Sequence, residues 1–321
     1  MVKILANDGL VKKAIHLLEA QGWEVDVGPL PDEELLQRLK AYDVLIVRSA
    51  TKVTDSLLRA NPHLKVIARA GVGMDNIDLK VAEELGIRVI NTPGASSSSV
   101  AELVMGHMLG LMRFLHRSNR EMPDVREGKD FKILKKSYSK GREAAGKVLG
   151  LIGMGKIARE VAMRALGLGM RVRYHDPYVP AVNLKVELWG IQPVPIISLS
   201  SDPIDEVLAG SDVVSVHVPL VAQTQMLLDE SRLRKMRPGA YLIQCARGGV
   251  VDEEAVVRLL DTGHLAGAAF DVFEDEPTPR PVLLGHPKIS VTPHIGASTV
   301  EAQERIGLEL ARQLIELLRD R

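Results

Sequence analysis

The stretch GLIGMGKIARE, Gly150 to Glu160, constrains this chain more than any other. The apolar run KVLGLI before it reads as a buried strand, and IAREVA after it reads as the start of an amphipathic helix. Between them Gly153 and Gly155 permit a tight turn whose backbone can approach a diphosphate, and Ala158 stands where a third glycine often lets helix and strand pack closely. The next apolar run, MRVRYHD, closes on Asp176, placed to accept hydrogen bonds from ribose hydroxyls and to repel a 2′-phosphate. A glycine-rich turn alone is a weak signal, and an Asp-Pro turn is ordinary. Strand, turn, helix, strand and acid in series predict a dinucleotide site that prefers NAD to NADP. Arg173 precedes the acid on its strand and is not read as a phosphate ligand.

This turn begins almost halfway along 321 residues, a length that at 46% hydrophobic and 26% charged suits two soluble cores better than one. Before it, VKILA, DVLIVR, LKVIARA and IRVINTP alternate with amphipathic segments such as LVKKAIHLLEAQG. From it onward, KVLGLIG, MRVRYHD, DVVSVHV, AYLIQCA, LAGAAFDV and KISVTPH give six strand candidates, as a complete dinucleotide-binding sheet requires. The expected fold is α/β, with two Rossmann-like doubly wound domains. Pro93, Gly94 and a run of serines mark the crossover, where Ser99 and Glu102 read as a capping box opening a helix to about Arg120. Ser298 and Glu301 have the same spacing ahead of the last helix, which cannot form a domain alone and is expected to return to the N-terminal sheet. Residues 1–98 with 293–321 then form one discontinuous domain, and 99–292 form a dinucleotide domain inserted into it. The polar, basic segment from Asp124 to Lys147 reads as an exposed connection.

Composition excludes several classes of function. Lys+Arg and Asp+Glu both number 41, so no global field draws nucleic acid or an anionic membrane. The one cysteine, Cys245, excludes an internal disulfide and a four-thiolate metal site and suits a reducing, cytoplasmic setting; no bound metal is expected. The most apolar stretch, Val100 to Leu115, is interrupted by Glu102, His107 and Arg113, and MVKILANDGL turns polar too soon for a signal peptide.

Three later segments end strand-like runs with reactive side chains. CARGGVVDEEA carries Arg247, FDVFEDEP carries Asp271 and Glu276, and VTPHIGAST carries His294. In parallel α/β sheets such ends converge on the ligand crevice. An arginine there can clamp a carboxylate or carbonyl, a histidine can exchange an alcohol proton, and a glutamate can orient that histidine. Singly, Arg247 could be a surface charge, Glu276 one of a solvated run with Glu274 and Asp275, and His294 a helix-entry residue. Together with the glycine turn they point to hydride and proton transfer. His286 reads as a loop residue, and Cys245 as a small buried residue beside the cofactor rather than a nucleophile.

ARAGVGMDNIDL, VINTPGASSSSVAEL, GLIGMGKIAREVA, VSVHVPL, CARGGVVDEEA, FDVFEDEP and PHIGA occur in that order. Through them the chain resembles the D-isomer-specific 2-hydroxyacid dehydrogenases over nearly its whole length. The resemblance implies that the dinucleotide domain is inserted into a discontinuous substrate domain, whose first 98 or so residues build the other wall of the cleft. It places the catalytic arginine, glutamate and histidine on Arg247, Glu276 and His294. For NAD it implies Gly153, Gly155, Lys156 and Ile157 at the phosphates and Asp176 at the ribose. Further cofactor contacts are implied at His217, Val218, Pro219, Cys245, Ala246, Arg247, Asp271, His294, Gly296 and Ala297. A homodimer formed through the region of the Ser99 helix is also implied, where Gly106 and Gly110 permit close packing.

The substrate must be chosen by the N-terminal domain. VRSATKVT sets Arg48, Thr51 and Lys52 after one strand, and Arg69 ends the next, giving a cationic rim suited to a second anion on the substrate. Ion pairing of these arginines with Asp43 or Asp75 is the plainer account. The stretch resembles the phosphate-handling loop of D-3-phosphoglycerate dehydrogenases, which implies oxidation of D-3-phosphoglycerate at the entry to serine synthesis. The substrate carboxylate would then sit on backbone amides near Val72 and Gly73. The resemblance leaves open a glyoxylate or hydroxypyruvate reductase, a D-lactate dehydrogenase, and a dinucleotide-sensing corepressor that binds peptides. Two departures stand out: a basic stretch, GKDFKILKKSYSKGREAAGK, replaces a tryptophan and a short basic loop, and residues 181–207 are longer than usual. Since the chain ends just after its last helix, the regulatory domains of some relatives, and serine feedback through them, are expected to be absent.

Overall fold

The structure, a computed structural model, describes residues 1–186, 190 and 193–319. The chain divides into two compact units, Met1–Ser99 with Ala297–Arg321, and Val100–Gly296.

The first unit holds five strands, β1 (Lys3–Ala6), β2 (Glu24–Val27), β3 (Val44–Val47), β4 (Val66–Arg69) and β5 (Arg88–Asn91). They are all parallel, in the order β2-β1-β3-β4-β5. Central β3 reads VLIV and is buried throughout, because helices cover both faces of the sheet. On one face Ala14 and Leu18 pack with Ile306, Leu310 and Leu314 of the last helix, Val300–Arg319. On the other, Leu35, Leu57 and Leu58 pack with Val81. Gly307 lets the last helix approach closely: a Cβ there would lie 2.5 Å from a Val11 methyl.

The second unit contains β6 (Val148–Ile152), β7 (Arg171–His175), β8 (Ala181–Lys185), β9 (Ile196–Ser200), β10 (Val213–Val216), β11 (Ala240–Gln244), β12 (Leu265–Phe270) and β13 (Ile289–Val291). The six expected strands form one parallel sheet, β7-β6-β10-β11-β12-β13. Its two faces carry separate cores, one around Ala158, Val161 and Tyr174, the other around Val214, Leu242 and Phe270. The long segment after Asp176 contains an antiparallel hairpin, β8 with β9, joined to the edge of the sheet by one bridge between Tyr174 and Ser201. Glu187 to Trp189, Ile191 and Gln192 of that segment lie outside the described residues.

Three local expectations need correction. The helix assigned to Ser99 begins at Ser97, so Ser99 lies within its first turn; Ser97 N donates to Gly94 O at 3.2 Å, carrying the Pro-Gly turn directly into the helix. It ends at Met112 rather than near Arg120, because Phe114 takes a left-handed backbone (φ 57°) before a separate helix, Leu115–Glu121. The last helix is capped by Thr299, not Ser298: Thr299 Oγ1 accepts from Ala302 N at 3.2 Å, while Gln303 Nε2 reaches back to Ala297 O at 2.8 Å. The segment read as a connection contains a helix, Gly128–Ser137, opened by reciprocal bonds between Glu127 and Asp130. Phe131 and Ile133 on it are exposed. Among the described residues no helix is long and apolar enough to cross a membrane.

Thr299→Ala should therefore destabilise the protein by about 1 kcal/mol, whereas Ser298→Ala should change stability by less than about 0.5 kcal/mol, both read from urea unfolding midpoints.

Candidate active site

Because the six strands of the second unit run parallel, their carboxyl ends all open on one edge of the sheet. Gly153 follows β6, Asp176 follows β7, His217 to Pro219 follow β10, Cys245 to Arg247 follow β11, Asp271 follows β12, and Thr292 to Gly296 follow β13. Local sequence set each strand's end, and the parallel register gathered them.

The glycine turn is shaped for a diphosphate. Gly153 has φ 93°, and a Cβ there would lie 2.7 Å from His217 O and 2.9 Å from a Val218 methyl, so only glycine fits. At Gly155 a Cβ would meet no atom within 4 Å, which leaves open space before the helix Lys156–Gly167. The first-turn amides of that helix, at Lys156 and Ile157, have no intrahelical acceptor and point with the positive end of the helix dipole toward that space. These residues fit the diphosphate of a dinucleotide. Asp176 is tied to the turn, its Oδ2 accepting from Met154 N and its Oδ1 from Tyr178 N, both at 2.8 Å. Arg173 is paired with Asp202 at 2.7 Å and Glu206 at 3.4 Å.

His294 and Glu276 meet: Nδ1 lies 2.8 Å from Glu276 Oε2. The other Glu276 oxygen accepts from Phe273 N at 3.0 Å. Burial alone would push this carboxyl up, but the bond from His294, the Phe273 amide and the charge of Arg247 together hold it below the usual range. A carboxylate accepting from Nδ1 leaves Nε2 as the nitrogen available for proton exchange, and it stabilises the imidazolium. Glu274 and Asp275 do not form a solvated run with Glu276; each pairs with Arg280 at 3.0 Å, beside Glu254 at 2.8 Å. Arg247 is placed by its own loop, since Gln244 Nε2 holds Arg247 O at 2.9 Å and a Cβ on Gly248 would overlap the Phe273 carbonyl. The loops bearing Arg247 and Glu276 are thus packed backbone to backbone.

Several contributors escaped the sequence. Buried Glu253 bonds Glu274 N at 2.8 Å, and burial pushes its carboxyl up. Asp271, expected at the nicotinamide, is buried and uses both oxygens on the His294 segment: Oδ1 accepts from Thr292 Oγ1 (2.6 Å) and Ile295 N (2.8 Å), Oδ2 from Gly296 N (2.9 Å). The one available signal was Thr292, a hydroxyl residue directly after a strand and shortly before His294. Burial pushes the Cys245 thiol up, away from nucleophilic character.

Ala297 opens the segment that belongs to the first unit. There Arg48 follows β3 and Arg69 ends β4, on paired strands in which Val47 lies opposite Arg69. Lys52 is exposed. Thr51, expected to offer its hydroxyl, is buried instead: Oγ1 donates to Asp8 Oδ1 at 2.5 Å and accepts from Asn7 Nδ2 at 2.8 Å. Asp8 also holds the amides of Arg48 and Thr51, and Asn76 holds their carbonyls, so the loop is braced from two sides. The Arg69 guanidinium folds over Gly71 (φ 150°) and bonds Ala70 O at 3.1 Å. Near Val72 and Gly73, Asn91 Nδ2 fixes Val72 O at 2.7 Å. Asp43 is bonded to Lys65 at 2.9 Å.

Gly155→Ala should fold like the parent yet bind NADH roughly tenfold more weakly by fluorescence titration, whereas Gly153→Ala should lose both binding and thermal stability. Burial pushes the His217 pKa down to about 3, below its ordinary 6.5. The unfolded chain therefore binds a proton there that the native state refuses, so this contribution to stability is complete above pH 6.5 and is lost as pH falls toward 3. His217→Gln should remove about 2 kcal/mol of the stability lost between pH 7 and pH 5, measured by urea unfolding at both values.

Residues 105–296 match the family described as D-isomer specific 2-hydroxyacid dehydrogenase, NAD binding domain. The chain is 42% identical over 320 residues to a hydroxypyruvate reductase of Thermotoga maritima, covering 98% of each chain. It is also 42% identical over 320 residues to a D-3-phosphoglycerate dehydrogenase of Methanocaldococcus jannaschii, covering 99% of this chain but only 58% of that longer protein. The crystal structure of NAD+-bound 3-phosphoglycerate dehydrogenase from Entamoeba histolytica superimposes with a TM-score of 0.78 at 27% identity, over 99% of this chain and 96% of that one. With a glycine turn shaped for a diphosphate and a histidine bonded to a carboxylate on the same sheet edge, the chain belongs to the D-isomer-specific 2-hydroxyacid dehydrogenase family, and its cofactor is NAD.

Proposed function

We propose that the protein oxidises D-3-phosphoglycerate to 3-phosphohydroxypyruvate, with Arg247, Glu276 and His294 as its catalytic residues. The observation that carries the chemistry is the 2.8 Å bond between His294 Nδ1 and Glu276. In this reading His294 Nε2 takes the proton of the 2-hydroxyl as the carbonyl forms, and Glu276 stabilises the resulting imidazolium. Arg247 holds the substrate's carboxylate or carbonyl and polarises the ketone in the reverse direction, when His294 returns the proton. Bound at the glycine turn, NAD would supply the acceptor for the hydride of carbon 2 and, in the reverse direction, its donor. Gly153, Gly155, Lys156, Ile157 and Asp176 would hold the cofactor, together with His217, Val218, Pro219, Cys245, Ala246, Arg247, Asp271, His294, Gly296 and Ala297.

The first unit is the substrate domain in this proposal. Arg48 and Arg69 at the ends of paired strands, with exposed Lys52, recognise the phosphate, and the turn at Val72 and Gly73 takes the carboxylate. Thr51 serves as a brace for that loop. The Ser97–Met112 helix mediates a homodimer: Gly106 and Gly110 have no atom within 4 Å of an added Cβ, and Leu115, Met122, Phe131 and Ile133 nearby in sequence are exposed. A cytoplasmic setting suits a chain with one buried, unpaired cysteine.

A second reading, hydroxypyruvate reductase, is supported by the full-length match to the Thermotoga maritima protein. NADH oxidation followed with 3-phosphohydroxypyruvate and hydroxypyruvate, each repeated with Arg48→Ala, separates the two. A preference for the phosphorylated ketone that falls roughly tenfold or more in the variant is the expected result. Equal or reversed preference assigns the reductase, and NADH binding without turnover of either ketone assigns a dinucleotide-sensing protein.

A further inference from the structure

His107 lies outside every group the proposed reaction uses. It is 5% exposed on the Ser97–Met112 helix, and both ring nitrogens have partners: Nδ1 lies 3.1 Å from Ser290 Oγ and Nε2 3.0 Å from Thr292 Oγ1. Thr292 gives its one proton to Asp271 Oδ1 at 2.6 Å, so toward His107 it can only accept. That fixes the tautomer: Nε2 carries the proton, and Nδ1 accepts from Ser290. Burial favours this neutral ring, the charge of Asp271 opposing and that of His116 adding to the effect. Asp271 in turn holds the amides of Ile295 and Gly296, immediately after His294.

We propose that His107 is a positioning residue for His294, acting through Thr292 and Asp271. The proposal rests on the reading of His294 as the proton carrier. The hydrogen bonds of His107 go to Ser290 and Thr292. Its Nε2–H saturates Thr292 and aims that hydroxyl at Oδ1, so the carboxylate keeps one orientation toward the two amides behind His294. With the donor gone, the hydroxyl can rotate away, the Asp271 carboxylate loses its fixed direction, and His294 leaves Glu276 more often. A half-time carboxylate stabilises the imidazolium less, so the pKa of His294 falls. Ketone reduction needs protonated His294, so the alkaline limb of the rate profile moves to lower pH.

The test compares the parent with His107→Leu, His107→Gln, which keeps a donor near Nε2, Thr292→Val, and the Leu/Val double variant. Two readouts are taken on folded, NADH-binding protein: the NMR titration of His294, and kcat and KM against pH with whichever ketone the parent reduces. Glu276 and Arg247 near His294, and Asp271 and His116 near His107, are unchanged throughout. His107→Leu is expected to lower the His294 pKa and reduce kcat roughly tenfold on the alkaline side, with KM within about twofold. Gln should restore most of this, and the double variant should lose no more than either single one. The idea is overturned if the His294 titration and the rate profile of His107→Leu superimpose on the parent's. Additive Leu and Val effects, or losses that track thermal stability without rescue by Gln, also overturn it. A parent inactive toward every 2-oxo acid sinks the reaction reading, while the His294 titration still decides the positioning role.

Discussion

The buried carboxylate of Asp271 ties the end of β12 to the segment after β13, and the arrangement of the candidate site depends on that tie. Taking a carboxylate out of water is costly unless its lone pairs are filled, and here a hydroxyl and two backbone amides fill them. The fixed charge converts an irregular stretch, Thr292 to Gly296, into a defined loop. Once that loop is set, His294 can reach only a limited part of its surroundings, and Glu276 stands there.

Glu276 is held with comparable economy of motion. Its neighbours Glu274 and Asp275 are drawn onto Arg280, Glu253 grips the Glu274 amide from beneath, and Gly248 brings the Arg247 loop against the same backbone. The three side chains proposed for catalysis come from separate loops, and each loop is fixed through main-chain groups, with the Glu276 carboxylate itself holding the Phe273 amide.

Much of this was legible in the sequence because it follows from periodicity and from residues with unusual backbone demands. The six strands of the second unit and the glycine turn fall in this class, since Gly153 is dictated by its own φ and by the nearness of His217. Helix starts were not legible to the residue: Ser298 and Thr299 both suit a cap, and only the tertiary turn through Ala297 chooses between them. Likewise nothing local told Thr51 from a rim residue; its burial depends on Asn7 and Asp8, forty-odd positions earlier in the chain. The role of Asp271 as an anchor, and the presence of His107 behind it, depend on a helix lying against β13, which no short window contains.

His294 itself has φ 52°, in a region that costs a residue with a side chain about 1 to 2 kcal/mol. The bonds from the Ile295 and Gly296 amides to Asp271 hold the segment in that conformation, so in the proposed reaction the backbone that carries the imidazole is set by folding. Selection for thermal endurance alone would favour glycine at this position. In the proposed reaction the histidine is a local concession of stability, and the durability of the fold and the readiness of its site are in that respect opposed.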